Sequence, residues 1–506
     1  MNPMIPYLLL FGAVADPAIT LSRIDAARPT TSQIDTILAN HWKTLEIEPS
    51  ANCDDVTFLR RLSLDLIGRV PSYEEAQNFM RDQRPDKRVR LVRKLMSSID
   101  YTYHFARVLD GIIQDEQAGN GEFIDYLQSS IAQHKSWDNM FRDIIIGPWE
   151  TKEEKRSSAF IRQRLNSVDD LTTDTSRVFF GVNVSCAKCH DHPLVEDWKQ
   201  DHYFGMASFF NRTVEGSKKK KKDEILEADT GEVQFLTTKG ERKTAKAMFL
   251  SNRVVDAPKD KKVALRAELA KVALEDNTFF RRAIVNRIWA QLIGRGIVDP
   301  LDQLHSANPP AVEKLLEFLG DDFAAHRYSL DHLVAAIVMS KAYGFASRGP
   351  TEGVTLAEAN FARMPLRPLT PHQFAMSMVL TTGSQKSTDP RQLDGESRRF
   401  TGSKLLDVPA ERFQSSTGEA LYLSNHPEVQ KLVQPAGDNL VARLVGIQDM
   451  RQLVDTAIWT LLNRAPEAEE HSFLVQWLEK RSSDKPRAVS QMVWALMTSA
   501  EFRFNH

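Results

Sequence analysis

Apolar residues recur at helical spacing along most of the 506-residue chain. Phe280, Ile284, Ile288 and Leu292, for example, are four residues apart, a spacing that puts them on one face of a helix. The same periodicity fills the sequence on both sides of a central polar stretch. The pattern therefore predicts a mainly α fold with two helical domains, residues 16–212 and 261–506.

Capping residues and glycines indicate where several of these helices begin and end. Ser72 is suited to cap a helix start, with Glu75 in the first turn. Gly294 is expected to end the helix formed around residues 280–292. Residues 384–403 are polar and predict a long loop. Further helices are predicted over residues 311–325, 330–341, 371–380, 430–445, 450–462, 468–480 and 486–499.

The sequence between the two predicted domains has a different character. Lys218 to Lys222 is an uninterrupted basic run whose like charges repel one another, which indicates a solvated loop. A contact with nucleic acid or another anionic polymer is the alternative. Residues 232–250, interrupted by Gly240, indicate a small β excursion. We therefore predict that residues 213–260 form a Lys-rich linker that contains some β structure.

Residues 1–15 bear on the cellular location. An apolar run precedes Ala13-Val14-Ala15, the small-residue pattern of a signal-peptide cleavage site. This pattern predicts a signal peptide over residues 1–15 and an exported protein of the periplasm or cell envelope. A frayed apolar N-terminus of a cytoplasmic protein is the alternative.

Composition and charge narrow the class of protein. The chain has 65 Lys and Arg residues against 67 Asp and Glu residues, a formal net charge of −2, and 42% apolar residues, as in ordinary globular proteins. A near-neutral balance does not favour a binder of duplex nucleic acid. After residue 15, no stretch approaches the roughly 18 uninterrupted apolar residues of a membrane span. The mature protein is therefore expected to have no transmembrane segment.

Two of the three cysteines lie in the motif that points to a specific chemistry. Cys186-Ala187-Lys188-Cys189-His190 is a C-x-x-C-H sequence, the attachment pattern of c-type haem. Two thiols at this spacing can form thioethers with the two vinyl groups on one edge of a porphyrin, and the adjacent imidazole can bind the iron. The motif therefore predicts covalent haem c on Cys186 and Cys189, with His190 as the proximal ligand, and it agrees with an exported protein.

Three alternatives to haem stay open for this segment. Cys186, Cys189, His190 and His192 are close enough in sequence to hold zinc, although four ligands in so short a stretch are cramped for tetrahedral closure. The two cysteines can instead form a redox-active or structural disulfide, but the surrounding sequence lacks the βαβ pattern of a thioredoxin-like site. Lastly, both can be inert core residues.

A c-type haem iron usually takes a second axial ligand, commonly Met or His, from its opposite face. Met206 and His202 are the nearer candidates, whereas His192 is too close to His190 to reach round the ring easily. Met206 has an alternative role in core packing, because aromatic residues flank it. A site without a strong sixth ligand would bind a small molecule, which favours catalysis or sensing over simple electron transfer.

Several longer stretches match a known pattern. They are residues 58–71, with the sequence L-D-L-x-G-x-x-P at 64–71; 181–193, with C-A-x-C-H-x-H-P at 186–193; Trp198, Tyr203 and Phe209-Phe210; 280–289; 294–300; 308–310; and 494–502. Together they resemble the planctomycete-type cytochrome-domain proteins, large bacterial proteins described mainly by two conserved domains of unknown function. The resemblance covers about residues 33–212 and 260–506.

The resemblance implies an exported, envelope-associated protein with a cytochrome-like site. We therefore expect a c-type haem-binding protein with an electron-transfer or redox role in the cell envelope, working with a redox partner protein. The sequence leaves open whether it is an enzyme. One alternative is a non-haem metal or disulfide scaffold of the envelope, and the other is an accessory enzyme acting on envelope or sulfated polysaccharide.

Several polar and aromatic residues are interpreted as structural. Trp198, Tyr203 and Phe204 either line a pocket or fill the core. The adjacent carboxylates Asp321 and Asp322 are interpreted as part of a helix face or cap. Buried ion pairs or hydrogen bonds that organise the helices are expected at Arg60, Arg61, Asp65, Arg282, Asn286, Arg287 and Asp299.

Overall fold

The structure, a computed structural model, describes residues 15–115, 119–192, 195–216, 224–256, 263–348, 353–385, 389–401 and 417–506. Helices dominate these ranges, and strands occur in them only as short antiparallel pairs. The predicted mainly α fold is therefore confirmed. Residues 1–14 of the predicted signal peptide and the lysine run at 218–222 lie outside the described residues. In the part of the chain that is described, no helix is both long and apolar enough to cross a membrane.

The helices up to residue 210 include both short and long elements. They are α1 (Pro17–Ala26), α2 (Arg28–Thr44), α3 (Asp55–Ile67), α4 (Tyr73–Arg81), α5 (Lys87–Met96), α6 (Ile99–Gln114), α7 (Gly121–Ala132), α8 (Trp137–Ile145), α9 (Lys152–Lys155), α10 (Ala159–Arg164), α11 (Val168–Phe180) and α12 (Gln200–Ala207). Short 3-10 turns occur at Arg156–Ser158 and Ser185–Lys188.

The later helices follow the same pattern. They are α13 (Leu265–Glu275), α14 (Thr278–Ile293), α15 (Glu313–Ala325), α16 (Leu330–Val338), α17 (Lys341–Gly344), α18 (Val354–Ala359), α19 (Pro371–Thr381), α20 (Pro390–Thr401), α21 (Thr417–Asn425), α22 (Pro427–Leu432), α23 (Leu440–Gly446), α24 (Met450–Leu461), α25 (Ala468–Glu479), α26 (Lys485–Met497) and α27 (Ala500–Arg503). A further 3-10 turn is at Ser482–Asp484.

The strands form three antiparallel pairs. The strands are β1 (Thr213–Glu215), β2 (Ile225–Glu227), β3 (Gln234–Leu236), β4 (Arg242–Thr244), β5 (Arg367–Pro368) and β6 (Phe504–Asn505). β1 pairs with β2, β3 with β4 and β5 with β6. The β3–β4 pair lies within residues 232–250, where the sequence predicts a β excursion, whereas the β1–β2 pair lies before that stretch.

The chain forms two compact units, each built from three chain segments. The first contains the described residues up to 48, residues 105–340 and residues 359–361. The second contains residues 49–104, 341–358 and the described residues from 362 to 506. The predicted division of the chain at residues 213–260 comes from sequence character alone and stays a prediction.

An aromatic cluster forms the centre of the first unit. The ring of Phe141 on α8 lies 4.9 Å from the ring of Phe179 on α11 and 4.9 Å from that of Phe280 on α14. Trp137 stacks on Phe280 at 6.3 Å. The buried face predicted for residues 280–292 is confirmed, because all four of its apolar residues are at most 1% exposed. This packing holds α11 and α14 in place around the segment that follows α11.

In the second unit, two buried arginines connect α3 to later segments. Arg60 donates to Oδ1 of Asn463 at 2.9 Å and to the carbonyl oxygen of Phe502 at 2.9 Å. Arg61 donates to the carbonyl oxygen of Phe345 at 2.9 Å. Burial lowers the pKa of Arg60 to about 10, so its guanidinium stays charged at neutral pH. The structural role predicted for both arginines is confirmed.

Asp65, one turn further along α3, is the acceptor for three hydrogen-bond donors. Its carboxylate accepts hydrogen bonds from the hydroxyl of Tyr343 at 2.8 Å, from Arg367 at 2.7 Å and from the amide of Asn505 at 2.9 Å. Asp65 is 3% exposed, so this group of contacts is shielded from water. The predicted structural role of Asp65 is also confirmed.

The remaining polar residues around α14 divide between buried and exposed positions. Asn286 is buried and makes two hydrogen bonds with the backbone of Val298, at 2.8 and 2.9 Å. Arg287 donates to a backbone carbonyl of α11 at 2.7 Å. The prediction for Asp299 is wrong, because its side chain is 44% exposed and pairs with Arg295 at 3.1 Å. Asp299 lies in the turn beyond α14, outside the packed helix face.

Two sequence-based assignments in the second unit are also wrong. The polar stretch predicted as a loop at 384–403 contains α20, whose Leu393 and Phe400 are 5% exposed and join the core. The single helix predicted at 430–445 is two helices, α22 and α23, because Asn439 starts a new helix by accepting a hydrogen bond from the backbone of Ala442.

The predicted cap at Ser72 is confirmed, and it makes stability depend on pH. Burial alone would raise the pKa of Glu75, but hydrogen bonds from Arg69, at 2.8 and 3.1 Å, and from the backbone of Ser72 lower it to about 2. The folded state therefore favours the carboxylate, and this contribution is complete above the ordinary pKa of 4.5 and is lost as the pH falls towards 2. We expect Glu75→Gln to lower the free energy of unfolding at pH 7 by about 1 to 3 kcal/mol.

Urea denaturation of both proteins at several pH values measures this effect. The difference between wild type and Glu75→Gln should shrink as the pH is lowered through this range. A difference that is constant with pH would contradict the assignment of the carboxylate as the cause.

Candidate functional site

The cysteine segment follows directly from the end of α11, and backbone contacts hold its start in place. Gly181 ends the helix at φ 67°, a left-handed conformation that favours glycine. The amide of Leu304 donates to the carbonyl of Gly181 at 3.0 Å, and the amide of Asn183 donates to the carbonyl of Asp302 at 2.9 Å. The chain therefore enters the segment along a short stretch of antiparallel pairing with residues 302–304.

Close packing also requires glycine at position 181, because the Cβ atom of any other residue would lie 2.5 Å from Cδ1 of Leu304. We expect Gly181→Ala to destabilise the protein more than Gly240→Ala. Both glycines have positive φ, but an added Cβ at Gly240 meets nothing within 4 Å. The backbone cost of about 1–2 kcal/mol is common to both variants, and overpacking adds about 1–3 kcal/mol at Gly181 alone. Urea denaturation measures the two values, and equal values would contradict the close approach.

The first turn of the segment is shaped by Asn183. Its Oδ1 accepts hydrogen bonds from the backbone amide of Ser185 at 3.1 Å and from the Ser185 hydroxyl at 2.7 Å. A 3-10 turn, Ser185–Lys188, follows, with Ala187 fully buried. The turn is thus anchored through its alanine, while Cys186 and Cys189 are exposed and both thiols are free.

His190 is exposed beside the two thiols, and its tautomer follows from a hydrogen bond. Nδ1 lies 2.7 Å from the carbonyl oxygen of Asp191. A carbonyl oxygen only accepts, so Nδ1 carries the proton and the lone pair of Nε2 is free to bind a metal. The segment therefore has two exposed free thiols and one oriented imidazole nitrogen within five consecutive residues. This donor set fits the attachment of a haem.

Gln200, at the start of α12, holds the far end of the segment. Its backbone amide donates to Oδ1 of Asp191 at 3.0 Å, and its side-chain amide donates to the carbonyl of Cys189 at 3.1 Å. Its own side-chain oxygen accepts from the backbone of Thr238 at 3.3 Å. Because Gln200 is 6% exposed, these hydrogen bonds are shielded from water, and they hold the backbone that carries the exposed thiols. Sequence reasoning did not identify this residue.

Asp169 on α11 forms a second support. It pairs with Lys188 of the segment and accepts a hydrogen bond from the hydroxyl of Tyr203. The hydrogen bonds from Lys188 and Tyr203 lower the pKa of Asp169, and burial together with Asp169 raises the pKa of Tyr203. Tyr203 therefore stays a neutral donor, and Asp169 a carboxylate, across the physiological range.

A cavity of about 640 Å³ lies beside the segment in the first unit. Trp198 and His202 border it, with the Trp198 ring edge-on to the imidazole at 5.6 Å, and His305 and the half-buried Arg282 lie on its wall. The backbone amide of His192 donates to the carbonyl of Trp198 at 2.8 Å, which joins the cysteine segment to this wall. Trp198 thus lines this cavity, and its role at a haem pocket stays a prediction.

The candidates for a sixth ligand occupy different environments. His202 is 4% exposed, and its Nδ1 accepts a hydrogen bond from the backbone amide of Lys199 at 3.1 Å. Burial lowers the pKa of His202, so the ring is neutral and its proton lies on Nε2 in this arrangement. Met206 is fully buried on α12, and His192 is half-buried. The assignment of any of the three to iron stays a prediction.

A cluster of potential metal-ligand atoms occurs elsewhere in the first unit. Within the described ranges, three or more His, Cys, Asp or Glu ligand atoms lie within 4.8 Å of one another at Asp322, His326 and His332, and the cysteine segment does not form such a group. Sequence reasoning missed this cluster. The available signal was the four-residue spacing between Asp322, in the last turn of α15, and His326, which directly follows the helix.

Two protein-family models match the chain. PSCyt2, a protein of unknown function (DUF1549), matches residues 33–215, and PSD1, a protein of unknown function (DUF1553), matches residues 265–403. These two regions agree with the two-domain description of the proteins that the sequence resembles. No curated protein matches the chain, and no solved structure does.

Proposed function

We propose that this chain is an exported c-type haem protein with a redox role in the cell envelope. Cys186 and Cys189 bind one haem through thioether bonds, and Nε2 of His190 is the proximal ligand. In each attachment the thiol adds across a vinyl group: a sulfur–carbon bond forms, and the thiol hydrogen passes to the neighbouring vinyl carbon. When bound, the haem supplies one-electron redox chemistry, and the protein tunes its potential through ligation and burial.

The observation that carries this proposal is the orientation of His190. Its Nδ1 contact with the carbonyl of Asp191 leaves Nε2 as the free nitrogen, next to two exposed free thiols at the C-x-x-C-H spacing. Metal-bound histidines commonly donate their other ring N–H to a backbone carbonyl in this way. The name PSCyt2 of the matching family model agrees with a cytochrome-like role.

The residues around the segment have supporting roles. Gln200 and Asp169 hold the backbone and Lys188, so the two thiols keep their spacing. Trp198 and His202 lie on the wall of the neighbouring cavity, where an aromatic ring and an N–H donor would adjust the redox potential. A redox partner would approach the exposed side, where the thiols and His190 lie.

The test is to produce the full chain in a host that matures c-type cytochromes and exports them. We expect an absorption spectrum with a Soret band and an intact mass higher by one haem than that of the mature polypeptide. Colourless protein of unmodified mass from such a host would overturn the proposal. Colourless protein that carries zinc, and that loses one zinc per chain when Cys186 and Cys189 are replaced by alanine, would instead favour a structural metal site at the cysteines.

A further inference from the structure

Asp322, His326 and His332 bring three potential metal ligands together where α15 meets α16. Asp322 and His326 are one turn apart at the end of α15, and His332 is in the first turn of α16. Nε2 of His332 lies 2.9 Å from Oδ2 of Asp322. Nδ1 of His326 lies 3.4 Å from Oδ1 and 2.9 Å from the backbone carbonyl oxygen of Asp322, a hydrogen bond that must break before this nitrogen binds an ion. All three ligand atoms lie within 4.8 Å of one another.

These separations are close to those around a bound ion. With metal–ligand bonds of about 2.1 Å, two ligand atoms of a tetrahedral site are about 3.4 Å apart. The observed distances of 2.9 and 3.4 Å, each to a different oxygen of Asp322, approach this value before any ion is placed between the ligands. The imidazole rings of His326 and His332 are stacked, at 15° and 3.7 Å, so the half-exposed ring of His326 must rotate before both nitrogen lone pairs point at one ion. Side-chain adjustments alone can therefore convert the cluster into a coordination site.

The residues around the cluster orient its carboxylate and close one of its sides to water. Thr30 on α2 donates to Oδ1 of Asp322 at 2.9 Å, a contact that orients the carboxylate. The side chain of His332 is 1% exposed, whereas that of His326 is 37% exposed, so one side of the cluster is closed and the other is open to water. Nδ1 of His332 is buried without a hydrogen-bond partner in the described part of the chain. It can carry the ring proton when Nε2 coordinates.

We propose that Asp322, His326 and His332 bind a divalent transition-metal ion of the Zn²⁺, Co²⁺ or Ni²⁺ type. Two imidazole nitrogens and one carboxylate oxygen are a donor set that such ions prefer, and Mg²⁺ and Ca²⁺ do not. Three protein ligands leave at least one coordination position for water or a small ligand on the open side. This site is separate from the cysteine segment and does not depend on haem.

The test uses the full chain with Cys186→Ala and Cys189→Ala, so that the cysteine pair cannot bind the added metal or a haem. After chelator treatment, Zn²⁺ titrated by calorimetry is expected to bind at about one ion per chain. His326→Gln in the same background should weaken the affinity by more than about 100-fold, since even outer-shell changes cost 10–100-fold. Circular dichroism confirms that this half-exposed substitution leaves the fold intact.

His471→Gln is the matched control. His471 also faces a carboxylate, with Nε2 3.4 Å from Oδ1 of Asp455, but this pair does not belong to a three-ligand cluster in the described residues. Its substitution should leave Zn²⁺ affinity unchanged. A second readout requires no change in the cluster: Co²⁺ should give visible ligand-field bands that Zn²⁺ abolishes by competition. The absence of any binding, or affinity that His326→Gln does not alter, would overturn the proposal.

Discussion

Replacing Cys186 and Cys189 together by alanine is expected to abolish covalent haem attachment completely. Protein from a host that matures c-type cytochromes should lose the added mass of one haem. Any residual colour should be extracted by acidified solvent, since no thioether would hold the porphyrin. The loss is total because each attachment is a covalent bond to one of these sulfurs. Intact mass spectrometry and absorption spectra of the purified proteins measure it.

Cys53→Ala is the control, because it removes a thiol outside the C-x-x-C-H motif. Cys53 is 5% exposed and burial raises the pKa of its thiol, so little reactive thiolate forms there. This variant should keep the haem mass and the Soret band. His190→Ala separates attachment from ligation: the mass gain should persist while the spectrum changes with the loss of the proximal nitrogen. Retention of haem mass in the double cysteine variant would refute attachment at this motif.

Asp65→Ala is expected to destabilise the protein by about 3–5 kcal/mol, the usual cost of removing one partner of a buried ion pair. The substitution leaves the buried guanidinium of Arg367 without its carboxylate and removes the acceptor of Tyr343 and Asn505. Because these contacts join α3 to segments far away in the sequence, their loss should also reduce cooperativity in the second unit. Urea denaturation followed by circular dichroism measures the change in the free energy of unfolding.

Asp299→Ala is the matched control for a carboxylate in an ion pair. The partners Asp299 and Arg295 are about equally exposed, at 44% and 45%, so water already solvates both charges. Its effect should stay within about 0.5 kcal/mol. If the two variants lost similar stability, burial of Asp65 would not be the reason for the effect.

The parts of the fold that the sequence predicts well are those decided within one or two helical turns. The helix that became α14 has its apolar face and its terminal glycine as expected, and the Ser72 cap forms with Glu75. Each depends on neighbouring residues alone, so periodicity and capping preferences suffice. The C-x-x-C-H motif is similarly local, and the sequence finds it without the fold.

Predictions failed where distant packing decides the outcome. Residues 390–401 look polar, yet Leu393 and Phe400 are placed at helical spacing for a core that later helices supply. The cluster at Asp322 is incomplete within α15, since His332 comes from the next helix. Gln200 is a further example. It supports the cysteine segment by binding Cys189 and Thr238 at the same time, and no local sequence pattern reveals these contacts.

The pairing of Gly181 and Asn183 with residues 302–304 has a consequence for biogenesis. During synthesis, the thiols emerge well before residues 302–304, which hold the backbone at the start of the cysteine segment. Under the proposed haem attachment, a ligase that acts on the nascent chain would thus meet a peptide without these backbone contacts, whereas one acting after folding would meet a segment that they hold in place. The order of modification and folding decides which of these substrates the maturation machinery handles.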